Sequence, residues 1–201
     1  MFSYYLINKP YGYLTQFHDK EGRPVLKELY KFPRGVYPVG RLDLDSEGLL
    51  LLTDDKKLTD FLLNPKNNHE REYYVQIEGA ATIEELEPLK HGVVIEKQLT
   101  KPAKVKLIEE PPFLWKRNPP VRERKTVPTC WISLTLTEGR NRQVRKMTAA
   151  TGHPTLRLIR FRILGVTVEG LQPGDVRKIT KEELFKPFLQ PGEIASQSKK
   201  L

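Results

Sequence analysis

GRLDLDSEGLLLLT, residues 40–53, changes character at its middle. Gly40 to Gly48 is polar and rich in turn formers. Leu49 to Leu52 is an unbroken apolar run of four. A run that short, bounded by glycine on one side and Thr53-Asp54 on the other, reads as a buried strand. Two carboxylates, Asp43 and Asp45, therefore stand at the mouth of an apolar strand, with Arg41 beside them. In an extended segment, residues i and i+2 sit about 7 Å apart on one face. Three readings stay open from this spacing: a solvated turn in which Asp45 and Ser46 cap the backbone, a catalytic carboxylate held at a dry strand end, and a glycosidase-like carboxylate pair.

Outward from this stretch, strands dominate. Phe2 to Asn8 is apolar and aromatic until Lys9-Pro10-Tyr11-Gly12 breaks it, which predicts a strand running into a turn. Short strands are expected at Val36–Val39, Arg71–Ile77, Thr100–Glu109, Thr129–Thr137, Leu156–Val168 and Val176–Ile179. Helices are expected at Val25–Tyr30, Lys57–Leu63, from the capping box Thr82-Ile83-Glu84-Glu85 onward, at Arg142–Thr151 before Gly152-His153-Pro154, and at Glu182–Leu189. Strands interrupted irregularly by helices give an α+β class with a mixed, mostly antiparallel sheet, not a repeating βα unit. We expect one domain over residues 1–189, in two lobes around a central cleft, and a loose polar tail over 190–201.

The charge narrows the partner. The chain carries 34 Lys+Arg against 25 Asp+Glu, a formal +9 over 201 residues, and a basic excess of this size favours a polyanion. The single cysteine, Cys130, excludes an intrachain disulfide and suits a reducing cytoplasm. The four histidines are too scattered for a local zinc motif, and no stretch approaches the ~20 apolar residues of a membrane span.

Three further segments carry chemistry. Residues 138–147 read EGRNRQVRKM, and from Gly139 to Val168 no acidic residue occurs. Arg140, Arg142, Arg145, Lys146, Arg157, Arg160 and Arg162 fall in that interval. Seven cations without a local counter-charge suggest a field for RNA phosphates; a solvated basic helix is the plainer alternative. Arg71-Glu72-Tyr73-Tyr74-Val75 places adjacent tyrosines on opposite strand faces, so that one can enter the core while the other faces a cleft. The segment 111–128 holds five prolines, Phe113, Trp115, Lys116, Arg117, Arg122, Arg124 and Lys125. Prolines that dense exclude a sheet interior. Basic residues interleaved with aromatics make it a candidate RNA-contacting loop that selects substrate.

Together with Asn8-Lys9-Pro10, these segments resemble the RsuA branch of ribosomal pseudouridine synthases, over roughly residues 4–180. GRLDLDSEGLLLLT, EYYV at 72–75, EGRNRQVRKM and LRLIRFRILG at 156–165 occur in that family's order and spacing. Many relatives carry a small RNA-binding module ahead of the Asn-Lys-Pro segment. Its expected absence here, with the proline-rich insertion, makes the chain look like a large-subunit member. The resemblance implies isomerisation of a uridine in 23S rRNA near the peptidyl transferase centre, without cofactor or metal. It implies Asp43 as the catalytic carboxylate, Tyr73 as the platform for the target uracil, and Arg145 as the cation pairing with Asp43. RNA contacts are expected at Lys9, Arg41, Trp115, Arg117, Arg122, Arg124, Lys125, Arg140, Arg142, Lys146, Arg157 and Arg160. The expected partner is ribosomal RNA, bound by a cytoplasmic monomer, with no membrane association. A non-catalytic rRNA-binding or assembly factor on the same fold is the rival expectation.

Overall fold

A computed structural model describes residues 2–121 and 126–187. The expected contacts Arg122, Arg124 and Lys125, the tail 190–201 and the end of the helix expected at 182–189 lie outside these residues. The strands are β1 (Tyr4–Lys9), β2 (Tyr37–Pro38), β3 (Glu47–Thr53), β4 (Arg71–Glu78), β5 (Val94–Ile95), β6 (Gln98–Leu99), β7 (Lys104–Ile108), β8 (Thr129–Leu136), β9 (Thr155–Ile163), β10 (Val166–Thr167) and β11 (Val176–Ile179). The helices are α1 (Lys56–Leu63), α2 (Ile83–Leu86), α3 (Pro88–His91), α4 (Gln143–Ala150) and α5 (Lys181–Phe185). Among the described residues no helix is long and apolar enough to cross a membrane.

One sheet in the order β11-β1-β3-β9-β4-β8-β7 organises the molecule, with β2 beside β3 and β10 beside β9. Its pairings are antiparallel except β3 with β9, which meet in parallel at Glu47↔Ile159 and Gly48↔Arg160. The sheet is thus mixed and mostly antiparallel, with few helices.

The four leucines of β3 form an unbroken run because both faces of that strand are covered. Leu49 and Leu51 pack with Leu6, Ile159 and Phe161, while Leu50 and Leu52 pack with Tyr5, Ile7, Leu26 and Val36. Each is fully buried, a gain of about 1.5–3 kcal/mol per side chain. On β4, Val75 and Ile77 join Ile132, Leu134, Leu86 and Met147 in a separate cluster that carries α2 and α4. Tyr73 packs against this cluster and Tyr74 against the one around β3, so the two tyrosines do face opposite ways. Tyr74 stacks on Phe161 at 4.1 Å between ring centroids, 10° from parallel.

Two expectations are corrected. The hairpin of β5 and β6 and the helix α3 were not foreseen: strands of two residues and a helix of four leave no measurable periodicity. The Pro-rich segment is not a free aromatic platform in its first half. Phe113 and Leu114 pack on the core, and Trp115 is inside it, 8% exposed. The Trp115 indole Nε1 donates to Glu47 Oε1 at 2.7 Å. Glu47 also accepts Arg157 Nε and Nη2 at 2.9 Å each, and Arg157 Nη2 reaches the Trp115 carbonyl at 2.9 Å. Trp115 and Arg157 therefore act inside the fold, not as surface RNA contacts. Arg117 stacks over Tyr11 and binds the carbonyls of Pro119 and Pro120, closing its own loop.

Gly48 is the tightest point of the parallel pair. Its φ is +102°, and a Cβ there would stand 2.5 Å from the Arg160 carbonyl oxygen and 2.8 Å from its nitrogen. Neither backbone atom can swing away as a side-chain tip could. Gly48→Ala should therefore lower unfolding stability by about 2 kcal/mol or more, measured by urea titration. A loss within 0.5 kcal/mol, the ordinary surface range of roughly that size, would mean that β3 and β9 separate freely.

Candidate active site

The turn that carries the two carboxylates is held almost atom by atom from outside. Ser46 N donates to the Asp43 carbonyl at 3.1 Å, and Gly12 N donates to the Leu44 carbonyl at 2.8 Å. Lys9 Nζ adds a longer contact to Leu44 O at 3.5 Å, and Thr15 Oγ1 reaches Leu42 O at 3.4 Å. Arg145 Nη2 donates to the Asp45 carbonyl at 2.7 Å, and Arg160 Nη1 approaches the Arg41 carbonyl at 3.4 Å. Donors from the β1 end, the following turn, α4 and β9 thus converge on four carbonyls, those of Arg41, Leu42, Leu44 and Asp45, and Ser46 within the turn takes that of Asp43. A surface turn would leave these groups to water; here protein donors limit the orientations open to Asp43.

Asp43 lines a cavity of about 300 Å³ with Tyr73, Ser46, Arg41, Arg142 and Arg160. Its carboxylate is one-third exposed, and its nearest cation is Arg142, 3.5 Å away. The expected pairing of Asp43 with Arg145 is not what the structure holds. Arg145 sits instead on Asp45, 3.3 Å from Oδ2 and bonded to the Asp45 carbonyl. Arg142 binds Asp45 bidentately at 2.9 and 2.8 Å. Asp45 is therefore the anchor between the turn and α4. Its own burial raises its pKa, but the Arg142 hydrogen bonds with the Arg145 and Arg142 charges outweigh that and hold it below the usual carboxylate range. Arg142 reaches it from a left-handed backbone conformation, φ +50° at the start of α4, a strained geometry of the kind concentrated at functional sites.

The acid-free run from Gly139 to Val168 is not an uncompensated field. Its partners come from other strands and turns: Arg142 and Arg145 meet Asp45, Lys146 meets Glu96, Arg157 meets Glu47, and Arg162 meets Glu70 and Glu72. Arg140 takes the Ile95 carbonyl at 3.1 Å and longer contacts around Gln98 and Leu99. Arg41 and Arg142 are exposed at the cavity rim, and Arg140 is half-buried beside them. Arg160 is buried, 3% exposed.

Lys9 also departs from its expected place on the surface. It is fully buried, with Nζ donating to Pro10 O at 2.9 Å and Tyr13 O at 2.7 Å. The expected RNA contact at Lys9 is therefore not what the structure holds; its position at the end of an apolar strand turns it inward. Burial pushes its pKa down from 10.5 to about 7, against the pull of Glu47, Asp45 and Asp43.

A larger cavity, about 580 Å³, lies under Glu70, Glu72, Lys104 and Arg162. Its two carboxylates are already paired with Lys104 and Arg162 at hydrogen-bond distance, so the smaller cavity, where Asp43 has only the longer 3.5 Å contact to Arg142, is the better seat for chemistry. Among the described residues no group of three or more His, Cys, Asp or Glu side chains could hold a metal ion.

Residues 3–150 match the RNA pseudouridylate synthase family. The chain is 51% identical over 170 residues to the ribosomal large subunit pseudouridine synthase E of Xanthomonas axonopodis pv. citri, covering 84% of this chain and 89% of that one. It is 50% identical over 175 residues to the protein of the same name from Vibrio vulnificus, covering 87% and 74%. The ribosomal large subunit pseudouridine synthase B of Bacillus subtilis is 37% identical over 182 residues, covering 90% and 69%. A crystal structure of a pseudouridylate synthase superposes with a TM-score of 0.75 at 28% identity, over 92% of this chain and 73% of that one.

Two outcomes follow from the charges. Asp45→Ala removes the counter-charge of two guanidiniums at once; discounted for its partial exposure, the loss should be about 1–2 kcal/mol in urea unfolding, and no loss would mean the turn stands without this anchor. Lys9 binds its proton less tightly folded than unfolded, so between pH 7 and 10.5 the unfolded chain carries more protons and stability rises with pH. The stability difference between the native chain and Lys9→Met should shift in favour of the native chain across that window, by up to ~1.4 kcal/mol per pH unit. A difference that stays flat from pH 7 to 10 would show that Lys9 keeps its ordinary proton affinity.

Proposed function

The chain belongs to the RNA pseudouridylate synthase family, and from that premise we propose that it isomerises one uridine of large-subunit (23S) ribosomal RNA, with Asp43 as the catalytic carboxylate. The observation that carries the assignment to Asp43 is its placement. It is the carboxylate of the turn that lines the cavity, with a single 3.5 Å contact to Arg142, while Asp45 lies outside the lining and is committed to Arg142 and Arg145.

Pseudouridine formation breaks the bond between N1 and C1′, turns the uracil, and joins C5 to C1′; the proton on C5 is lost and one is gained at N1. No oxidant or reductant enters. The base is inaccessible while stacked, so the nucleotide must be flipped into the cavity. Tyr73, on the cavity wall, supplies a stacking surface worth about 1–3 kcal/mol. Arg41, Arg140 and Arg142 at the rim lie where the backbone phosphates of a flipped nucleotide would pass. An ionised Asp43 then serves at the sugar, either attacking C1′ or removing the 2′ proton. Arg142 Nη1 stands 3.5 Å from this carboxylate, at the mouth of the same cavity. The identity of the partner RNA rests on the names of the relatives, which are large-subunit synthases.

The test is a pseudouridine map of ribosomal RNA from cells with and without the gene, repeated with Asp43→Asn. One 23S position should lose its modification in both the deletion and the variant. Purified Asp43→Asn should bind the RNA within a few-fold of the native protein and form no product. Product from the pure variant would remove Asp43 from the chemistry. A native chain that binds rRNA with no position changed would make it an RNA-binding factor instead.

A further inference from the structure

Arg160 is a charge in an unusual place. Its side chain is 3% exposed, yet no carboxylate among the described residues pairs with it. Nε donates to the Leu49 carbonyl at 2.7 Å and Nη1 approaches the Arg41 carbonyl at 3.4 Å. Nη2 is buried and has no partner among the described residues. Buried guanidiniums are ordinarily matched by an acid, because leaving a charged donor unsatisfied costs several kcal/mol at about the scale of a broken buried pair. The neighbouring Arg157 and Arg162 obey that rule, with Glu47 and Glu72. Ser46 repeats the anomaly: it is 1% exposed, and its Oγ is buried without a partner. Both residues line the cavity that holds Asp43 and Tyr73, and Arg160 stands opposite Tyr73 in the β4–β9 register.

We propose that Arg160 and Ser46 form a subsite that reads the polar edge of the target base, with the Arg160 guanidinium donating to a carbonyl oxygen of uracil. The proposal rests on the reading that a uridine is flipped into this cavity, and it adds the residues that recognise the base. Depth separates base from phosphate here. The sugar-phosphate chain cannot follow a flipped base inward, so its phosphates meet the exposed Arg41 and Arg142 at the rim. The base is what reaches Arg160 and Ser46, buried members of the lining that each keep an unpartnered polar atom.

The chemistry of the edge matches. Uracil presents O2 and O4 as acceptors and N3–H as a donor; a guanidinium can only donate, and a hydroxyl can do either. Cytosine carries an amine where uracil has O4, which would set donor against donor in a buried place. A site built to hydrogen-bond a substrate group rejects an analogue that cannot supply it far more strongly than an apolar pocket could. A cation at a carbonyl oxygen also stabilises negative charge that spreads onto the ring as the N1–C1′ bond breaks. Burial depresses the Arg160 pKa, and the Tyr73 phenol beside it acts the other way. An acceptor arriving at Nη2 would ease the same desolvation.

The test is a double-mutant cycle between protein and RNA. Single-turnover rates are measured on an RNA containing the mapped uridine, and on the same RNA with 2-thiouridine or 4-thiouridine at that position. Sulfur is the weaker acceptor, so one of the two thio-RNAs should slow the native enzyme by about tenfold. Arg160→Gln should be slower on the natural RNA and should lose that sensitivity to within about twofold, with RNA affinity and its salt dependence unchanged. If Arg160→Gln does not melt cooperatively, Arg160→Lys and Ser46→Ala are run on the same RNAs, and at least one should show reduced sensitivity. Thio effects that remain at native size in every folded variant overturn the subsite. So does an Arg160 variant that chiefly weakens binding and flattens the salt dependence, which would mark a phosphate contact. A native enzyme with no product on the natural RNA would instead defeat the functional reading itself.

Discussion

The turn from Arg41 to Asp45 can present a carboxylate to a cavity because its carbonyl groups are bound by the rest of the protein. A backbone turn at the end of a buried strand exposes acceptors that must find donors, since each unpaired buried one costs on the order of 1–3 kcal/mol. Lys9 and Gly12 from the β1 end, Thr15 from the turn beyond, Arg145 from α4 and Arg160 from β9 supply them. These donors are far apart in the chain. They meet only because β1, β3 and β9 are neighbours in one sheet, so the geometry of the site is inherited from the order of the strands.

That dependence explains why so many charges are buried here. Lys9, Glu47, Glu72, Arg157, Arg160 and Arg162 are all below a tenth exposed. Such groups are expensive to desolvate, and a buried ion pair adds little net stability over apolar packing. What they supply is directionality. Glu47, the first residue of β3, accepts from Arg157 on β9 and from Trp115 in the Pro-rich segment. One carboxylate thereby joins the strand behind the turn, the strand parallel to it and a long loop. Leucines could fill the same volume but could not set a register at one residue pair.

The cavity is divided by depth. Arg41 and Arg142 stand exposed at its rim, where long cationic side chains can meet a polyanion in water. Asp43 and Tyr73 lie half-buried on its wall, and Ser46 and Arg160 are among its buried polar groups. Desolvation strengthens electrostatic interactions toward the bottom. A flipped nucleotide, charged along its backbone and polar but neutral at its base, has the same gradient.

The amino-acid sequence was enough for most of the longer elements. Period-two alternation, the leucine run of β3 and the capping box at Thr82 are local properties, and the elements expected from them lie within a few residues of those in the structure. The motif containing Asp43 was likewise legible, because residue type and spacing survive in one dimension. Pairing and burial did not. The cations between Gly139 and Val168 looked unbalanced because the acids that pair with five of the seven, Asp45, Glu47, Glu70, Glu72 and Glu96, are 50 or more residues away along the chain. Trp115 and Lys9 looked like surface groups because composition says nothing about which face of a loop or strand end turns inward. Which carboxylate each arginine meets depends on strand order and on the two-residue parallel contact of β3 with β9. Those contacts are long-range, and only the folded chain brings their two sides within a hydrogen bond.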